Sequence, residues 1–179
     1  MDKHWAIILI KPDAVRDVLE EMILNDLREG TFIEIIFRKY WFVTRATACL
    51  LYADWVDKPQ FPAMVHNLTS GQSLLVIAQG DADIYASLRQ VKGKMNQGGL
   101  RLKYRTRSIE EWESLGYSGS ELQNRIAENR LHTTDDFQDT IQVCSLALEN
   151  HEIDALNLIA PRLSSSIRQR RALQIRTAC

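Results

Sequence analysis

A histidine lies next to hydroxyl and carboxylate groups in the last third of the 179-residue chain. The segment 129–135 reads Asn-Arg-Leu-His-Thr-Thr-Asp, with His132 at its centre. A neutral imidazole is a competent nucleophile near neutral pH, and a covalent intermediate divides one difficult phosphoryl transfer into two easier steps. We expect Thr134 to begin a helix, whose N-terminus would add positive potential beside the phosphate. Taken alone, the segment also fits an ordinary surface or cap histidine.

Any phosphate site in this chain must be local and built from side chains. The formal net charge is −1 and the pI is near 6.4, so no overall basic field attracts nucleic acid or anionic lipid. No GxxxxGK[ST] loop occurs in the sequence, so the backbone amides of such a loop cannot hold a phosphate group. Side chains must hold it instead, and we expect neither a specific nucleic-acid partner nor a membrane partner.

The composition indicates one folded body in a reducing compartment. Hydrophobic residues make up 45% of the chain, enough for one domain with a substantial core. The longest apolar runs, such as 5–10 and 74–78, are far too short to cross a bilayer, and the N-terminus lacks a signal-peptide pattern. Three scattered cysteines show no CxxC spacing and indicate neither a disulfide framework nor a zinc site. We expect a cytoplasmic protein.

Hydrophobic periodicity predicts strands and helices that alternate along the chain. Short runs rich in β-branched and aromatic residues predict strands at 5–10, 32–43, 73–79 and 144–148. Helical spacing and capping residues predict helices at 13–27, 44–55, 60–68, 83–91 and from 134 onward. One or two more helices are expected within 108–128, capped at Ser108 and Ser120. Helices that cover a sheet in this way form an α/β or α+β sandwich.

Five short motifs occur in a fixed order between residues 5 and 148. They are WAIILIKPDAVR at 5–16, Tyr52 followed by DKPQF at 57–61, TSG at 69–71, GLR at 99–101 and NRLHTTD at 129–135. In order and composition they resemble the K-P-D-A-V-x-R, Y-x5-[KR]-P-F-F, T-S-G, [TS]-[IL]-R and N-x-x-H-G-S-D segments of the nucleoside diphosphate kinase family. The agreement of five pieces makes coincidence a poor explanation.

The resemblance implies a fold, an activity and an assembly. The fold is the ferredoxin-like βαββαβ sandwich of the α+β class, in which helices cover a four-stranded antiparallel sheet. The implied domain spans 1–150 with an inserted helical segment at about 105–128, and a helical basic extension follows at 151–179. The activity is ping-pong transfer of the γ-phosphate of a nucleoside triphosphate to His132 and then to a nucleoside diphosphate. The family's habit of assembling implies a homo-oligomer built from dimers.

The resemblance also implies roles for individual residues. Catalytic roles fall to His132, Lys11 and Tyr52. Nucleotide or phosphate contacts fall to Lys11, Arg89, Arg101, Asn129, Thr134, Gln60, Phe61 and Met95. Asp54 and Asp135 match acids near Mg²⁺, which binds through water or nucleotide phosphates, so no permanently bound cofactor is expected. Without the resemblance, Tyr52 equally fits a core aromatic, Asn129 a helix C-cap and Thr134 an N-cap.

Several positions depart from the family pattern at or beside the predicted site. Gln60 matches the aromatic that stacks on the base, and Met95 matches a threonine of the phosphate loop and cannot donate a strong hydrogen bond. Val143, next to Gln142, matches the acid that orients the histidine. The loop 96–101 is shorter than in the family, and the segment from Arg101 to His132 is longer.

These departures leave three hypotheses open. The first is an active or weakened nucleoside diphosphate kinase. The second is a catalytically weak or inactive domain of the same fold that binds nucleotide or a protein partner in a regulatory role. The third is a module that accepts phosphate on histidine but transfers it poorly. The basic tail, with Arg168, Arg170, Arg171 and Arg176, fits a solvated terminus or a contact with a partner or nucleic acid.

Overall fold

The computed structural model describes residues 3–93, 98–105 and 107–177. Within them a four-stranded antiparallel sheet has the strand order β2-β3-β1-β4. The strands are β1 His4–Ile10, β2 Glu34–Phe42, β3 Gln72–Gly80 and β4 Leu131–Thr133. This order and the antiparallel pairing, with helices packed on the sheet, confirm the predicted ferredoxin-like α+β fold.

Helices fill the connections between the strands and continue after the last one. In the described part of the chain they are α1 Pro12–Arg16, α2 Glu20–Gly30, α3 Arg45–Leu51, α4 Phe61–Thr69, α5 Ile84–Lys92, α6 Leu100–Lys103, α7 Ile109–Ser114, α8 Gly119–Ala127, α9 Phe137–Ala147, α10 Asn150–Ile159 and α11 Pro161–Thr177. A 3-10 helix at Ala53–Trp55 follows α3. None of the helices in these residues is both long and apolar enough to cross a membrane.

The central strand β1 is covered on both faces, which explains its continuous apolar sequence. Trp5, Ile7 and Leu9 belong to the core that α9, α10 and α11 complete. The alternate residues Ala6, Ile8 and Ile10 belong to a second core, which includes residues of α2 and α5. Because strand side chains alternate between faces, β1 connects the two cores through one backbone.

The prediction of a closing strand at 144–148 is wrong. Residues of that run lie mainly in α9, and the fourth strand is the three-residue β4, in which His132 pairs with Leu9 of β1. Helix α9 packs against β1 and also against α11, so consecutive apolar residues are buried and imitate a buried strand. The histidine is thus on a sheet edge instead of the loop before a helix.

Four predicted helix boundaries need correction, and two caps are confirmed. The helix predicted at 13–27 is interrupted at Val18, which has a φ of 57°, so α1 and α2 are separate. Thr44 caps α3 as predicted, but α3 ends at Leu51.

Ser108 forms the expected capping box with Glu111. The next helix is preceded by Ser118 rather than capped at Ser120, and Asp136 caps α9 instead of Thr134.

The C-terminal helices form part of the core on the α9 face of the sheet. Ile153 and Leu156 of α10 and Leu163 and Ile167 of α11 are almost fully buried in it. Arg171 donates hydrogen bonds to the carbonyl oxygens of Ser145 and Leu148 at the end of α9. The C-terminal helices are therefore packed on the domain, and the Arg171 guanidinium helps to hold them there.

We predict that Leu163→Ala lowers the free energy of unfolding by about 2–5 kcal/mol, because it opens a cavity at a site with no exposed surface. Urea unfolding followed by circular dichroism measures the change. Leu158→Ala on α10, where the side chain is 86% exposed, is the matched control and should change it by less than about 0.5 kcal/mol. Equal effects of the two substitutions would contradict the packing of α11.

Candidate active site

A cleft of about 820 Å³ opens beside the β4 edge of the sheet. One wall is the end of α3 with the 3-10 helix, and a second is α8 of the inserted segment, through Gln123 and Ile126. The start of α9 and the end of α5 close the remaining sides. The insertion between Arg101 and His132 therefore shapes the cleft directly.

His132 lies in the cleft at the middle of β4, with its ring partly exposed. The ring meets that of Tyr52 edge to face, with the centroids 6.5 Å apart. Burial, followed by the charges of Lys92, Lys11 and Arg101, lowers the pKa of His132 to about 3. The imidazole is therefore neutral at physiological pH and retains a lone pair for attack on an electrophile.

Three cationic side chains from different parts of the chain act on this ring through their charge. Lys11 follows β1, Lys92 ends α5 and Arg101 lies in α6. Burial lowers the pKa of Lys11 to about 8, although the nearby Asp13 carboxylate acts to raise it. Burial likewise lowers the pKa of Lys92 to about 8. Both ammonium groups are charged at neutral pH, and this concentration of positive charge is suited to an anion.

Arg101 is held in place by the strand that carries the histidine. Its Nε and Nη2 atoms donate hydrogen bonds of 3.2 and 3.1 Å to the carbonyl oxygen of Leu131. Gly99, at the N-cap of α6, has a φ of 77°, and a Cβ added there would lie 2.6 Å from the Cα of Gly93. The close contact between these glycines brings the ends of α5 and α6 together beside β4.

Most of the residues predicted for the site border the same cleft. Those on its lining are His132, Tyr52, Arg101, Asn129, Gln60, Asp54 and Asp135. Lys11 is 2% exposed, donates a 3.4 Å hydrogen bond to the carbonyl oxygen of Ala127, and contributes to the low pKa of His132. The predicted set is thus brought together from distant parts of the sequence.

Three of the described residues predicted for the site stand apart from this group. Arg89 is exposed and pairs with Asp135 at 3.4 Å, outside the cleft lining. Phe61 packs on the hydrophobic core, which leaves Gln60 on the cleft. Thr134 is fully buried, and its hydroxyl accepts from the Ile7 amide at 2.9 Å, so it ties β1 to the start of α9. Met95 lies outside the described residues.

The position that matches the family's orienting acid is apolar in this chain. Val143 is buried in the core, and the neighbouring Gln142 bridges Leu50 and Arg170 through hydrogen bonds of 3.1 and 3.0 Å. Asp139, one turn before Val143 on α9, lines the cleft together with His132. Its pKa is raised, chiefly by burial.

Sequence reasoning missed Lys92, Asp139 and Arg170, which all line the cleft. Lys92 had a detectable signal, because Ile84, Leu88 and Lys92 are spaced by four residues and share the buried face of α5. A lysine on the apolar face of a helix is a sign of a cation that becomes buried, and buried lysines are rare unless they are paired. Arg170 had no such signal in the sequence, since α11 reaches the cleft only through tertiary packing.

Metal ligands are sparse in the described part of the chain. It holds no cluster of three or more histidine, cysteine or acidic residues that could hold a metal ion. Asp54 and Asp135 are the predicted acids, and both are exposed on the cleft. Their carboxylate oxygens suit Mg²⁺, which keeps several waters and binds largely through substrate phosphates.

Solved structures share this fold at low sequence identity. A Halobacterium salinarum nucleoside diphosphate kinase in complex with CDP superposes with a TM-score of 0.65 and 22% identity, covering 84% of this chain and 91% of the other. A Borrelia burgdorferi enzyme, described as a transition-state mimic with vanadate and ADP, gives a TM-score of 0.65 and 15% identity, covering 84% and 89%. Fold and cleft together define a ferredoxin-like α+β protein with a histidine in a cationic cleft.

Sequence comparison gives the family. The family model for nucleoside diphosphate kinase matches residues 5–153. A nucleoside diphosphate kinase of Hydrogenovibrio crunogenus is 31% identical over 101 residues, covering 54% of this chain and 70% of that protein. One from a Wolbachia of Drosophila simulans is 26% identical over 130 residues, covering 73% and 83%. The chain belongs to the nucleoside diphosphate kinase family, and so to the phosphotransferase enzymes.

Proposed function

We propose that this chain transfers the γ-phosphate of a nucleoside triphosphate to a nucleoside diphosphate through a phosphohistidine at His132. The observation that carries the proposal is the neutral imidazole on β4 with two buried lysines, Lys11 and Lys92, and the half-buried Arg101 acting on it. Attack of the ring nitrogen on the γ-phosphorus breaks the bond to the bridging oxygen and releases the diphosphate. A second diphosphate then takes the phosphoryl group from the histidine, which restores the free ring.

The surrounding side chains supply the electrostatic part of the reaction. Lys11 is a buried point charge, and Arg101 offers donors besides those bound to Leu131, so both can stabilise charge on the transferring oxygens. Burial raises the pKa of Tyr52 to about 12, so its hydroxyl keeps its proton and can donate a hydrogen bond. Each of these groups is held by packing before the nucleotide arrives.

The rest of the cleft supports nucleotide binding. We assign Asn129 to the ribose and Gln60 to the base end of the cleft. Arg89 and Phe61 contribute at most from the periphery, and Thr134 supports the site through the backbone of β1. The nucleotide-bound relatives from Halobacterium and Borrelia support such use of the fold.

We propose that Mg²⁺ enters with the nucleotide, near Asp54 and Asp135, and that no cofactor is permanently bound. When bound, the ion neutralises charge on the phosphate chain. Asp135 is held by its ion pair with Arg89, which keeps its carboxylate at the cleft. Asp54 is fixed by the 3-10 helix on the opposite wall.

The rate of histidine phosphorylation should show no acid limb near the ordinary histidine pKa. Because the pKa of His132 is about 3, the ring stays neutral as pH falls from 7 to about 5. As pH rises through about 8, Lys11 and Lys92 lose their protons and kcat/KM should fall. A profile of kcat/KM for MgATP between about pH 5 and pH 9 tests both the absence of the acid limb and the fall above about pH 8. A loss of rate centred near pH 6.5 in the free enzyme would contradict a His132 ring that is neutral throughout this range.

A second candidate is a domain of the same fold that binds nucleotide or a protein partner without efficient transfer. The observation that favours it is the apolar Val143 at the position of the orienting acid, with Gln60 in place of the stacking aromatic. A third is a module that accepts phosphate on His132 and passes it on poorly.

One labelling experiment separates the three candidates. The protein is incubated with γ-labelled ATP and Mg²⁺, and a nucleoside diphosphate is then added. An acid-labile label that moves to the diphosphate supports the kinase. A label that remains on the protein supports the poor donor, and absence of label while ATP still binds supports the regulatory domain.

We further propose a cytoplasmic homo-oligomer built from dimers, with the kinase domain ending near residue 150 and the helical extension after it. Strand β2 is at one edge of the sheet and exposes Tyr40 and Phe42, which supports a contact with a second copy. Sedimentation of the purified protein tests the assembly, and a monomer at micromolar concentration would overturn it.

A further inference from the structure

Lys92 is a buried cation without a protein partner in the described part of the chain. Its residue is 6% exposed, yet it lines the large cleft. Among the described residues, its ammonium donates no hydrogen bond and forms no ion pair. Burying an ammonium without a partner is costly, so the position indicates a ligand of negative charge that completes the site.

The local structure fixes this lysine at the cleft. Ile84 and Leu88 anchor the same face of α5 in the core, so the face that carries Lys92 cannot turn to solvent. The helix ends directly after it, at Gly93, which has a φ of 70°. An added Cβ at Gly93 would lie 2.1 Å from the carbonyl oxygen of Gly98, so this tight turn accepts only glycine.

The charged groups around Lys92 do not neutralise it. Arg101 and Arg89 repel it, while Asp135 and Asp139 attract it. Both acids already have other contacts, since Asp135 pairs with Arg89 and Asp139 accepts a 3.2 Å hydrogen bond from the Asp135 amide. The nearby acids therefore leave room for an anionic ligand at the Lys92 ammonium.

The position of Lys92 relative to His132 identifies which part of a ligand it meets. Lys92 and His132 line the same cleft, and the Lys92 charge contributes to the lowered pKa of the ring. An anion bound by Lys92 would therefore share this cleft with the imidazole. In a triphosphate placed for attack by the ring nitrogen, the group next to the imidazole is the terminal phosphoryl group.

We propose that Lys92 is an additional phosphate-binding residue, whose ammonium holds the terminal phosphoryl group against the His132 ring. The inference rests on the proposed function and deepens it. It also bears on the departure at Met95, which matches a threonine of the family's phosphate loop and cannot donate a strong hydrogen bond. Lys92, three residues earlier in the chain, would supply a charge-assisted donor in its place.

Binding of a non-hydrolysable ATP analogue and of ADP to Lys92→Met tests the proposal by calorimetry. We expect the analogue to bind about tenfold more weakly or worse, whereas ADP, which lacks the terminal group, changes by less than about twofold. Lys92→Arg keeps the charge and should stay within about threefold of the wild type for both. Lys103→Met is the matched control, since that exposed lysine pairs with Asp26 away from the cleft and should change neither affinity.

Thermal unfolding separates binding from folding. Met in place of Lys92 removes an unpartnered buried charge, so the Tm of the variant should equal or exceed that of the wild type. Equal weakening of both nucleotides, no weakening of either, or a lowered Tm together with loss of both affinities would overturn the proposal.

The labelling assay keeps this inference distinct from the kinase proposal. If the Lys92 variant lost affinity only for the analogue while wild-type protein took no label, the kinase proposal would fail and phosphate binding by Lys92 would stand. If the variant accepted label on His132 at the wild-type rate, the kinase proposal would stand and the role of Lys92 would be refuted.

Discussion

His132→Ala is expected to lower nucleoside diphosphate kinase turnover on the order of 10³-fold or more and to abolish acid-labile labelling. The ring is the proposed acceptor of the phosphoryl group. When several residues act as one catalytic unit, removal of the nucleophile alone abolishes most of the rate enhancement. A coupled assay of triphosphate formation with purified variant measures the loss. The alanine side chain also removes the edge-to-face contact with Tyr52, so circular dichroism must show a folded protein.

The matched control for this substitution is His66→Ala. His66 is on α4 and lines a separate cavity of about 300 Å³, whose lining includes none of Lys11, Lys92 and Arg101. The control variant should retain turnover within about twofold of the wild type. Labelling that persists in the His132 variant would place the nucleophile elsewhere.

Arg101→Lys is expected to lower kcat about 100-fold, although the charge is conserved. The guanidinium uses Nε and Nη2 to hold the Leu131 carbonyl oxygen and has a further nitrogen for a phosphate oxygen. A lysine presents one ammonium and cannot keep both Leu131 contacts while it reaches the ligand in a fixed geometry. Because the lost contact is strongest in the transition state, kcat should fall more than nucleotide affinity.

Arg38→Lys provides the comparison for the same chemical change. Arg38 is on β2, 57% exposed, and pairs with Glu21 at 2.7 Å. Steady-state kinetics of this variant should match those of the wild type. A similar loss of kcat in both variants, or an affinity change with kcat preserved at position 101, would show that the guanidinium does not act in the chemical step.

The strands with strong sequence signals were predictable, while the one that carries the histidine was not. The first three strands are four or more residues longer than β4 and are rich in apolar, aromatic or β-branched residues. β4 has only three residues, too few for a period-two pattern to be detected. The apolar run 144–148 offered a stronger signal for a strand, because α9 is covered on two sides.

The candidate site was predictable as a set of motifs but not as a set of contacts. Motif order pointed to Lys11, Tyr52 and Arg101, which the fold brings to His132 from separate elements. The burial of Thr134 and the outward position of Arg89 follow from packing at the start of α9, which motif spacing does not encode. Arg170 illustrates the same limit, since it reaches the cleft through α11, beyond the matched family region.

The location of the phosphate after incubation with MgATP tests the central claim most directly. Peptide mapping at alkaline pH by mass spectrometry can assign it among the four histidines of the chain, His4, His66, His132 and His151. We predict modification at His132 alone, lost when a nucleoside diphosphate is added. Phosphate on another residue, or none while ATP binds in the cleft, would contradict the phosphohistidine mechanism.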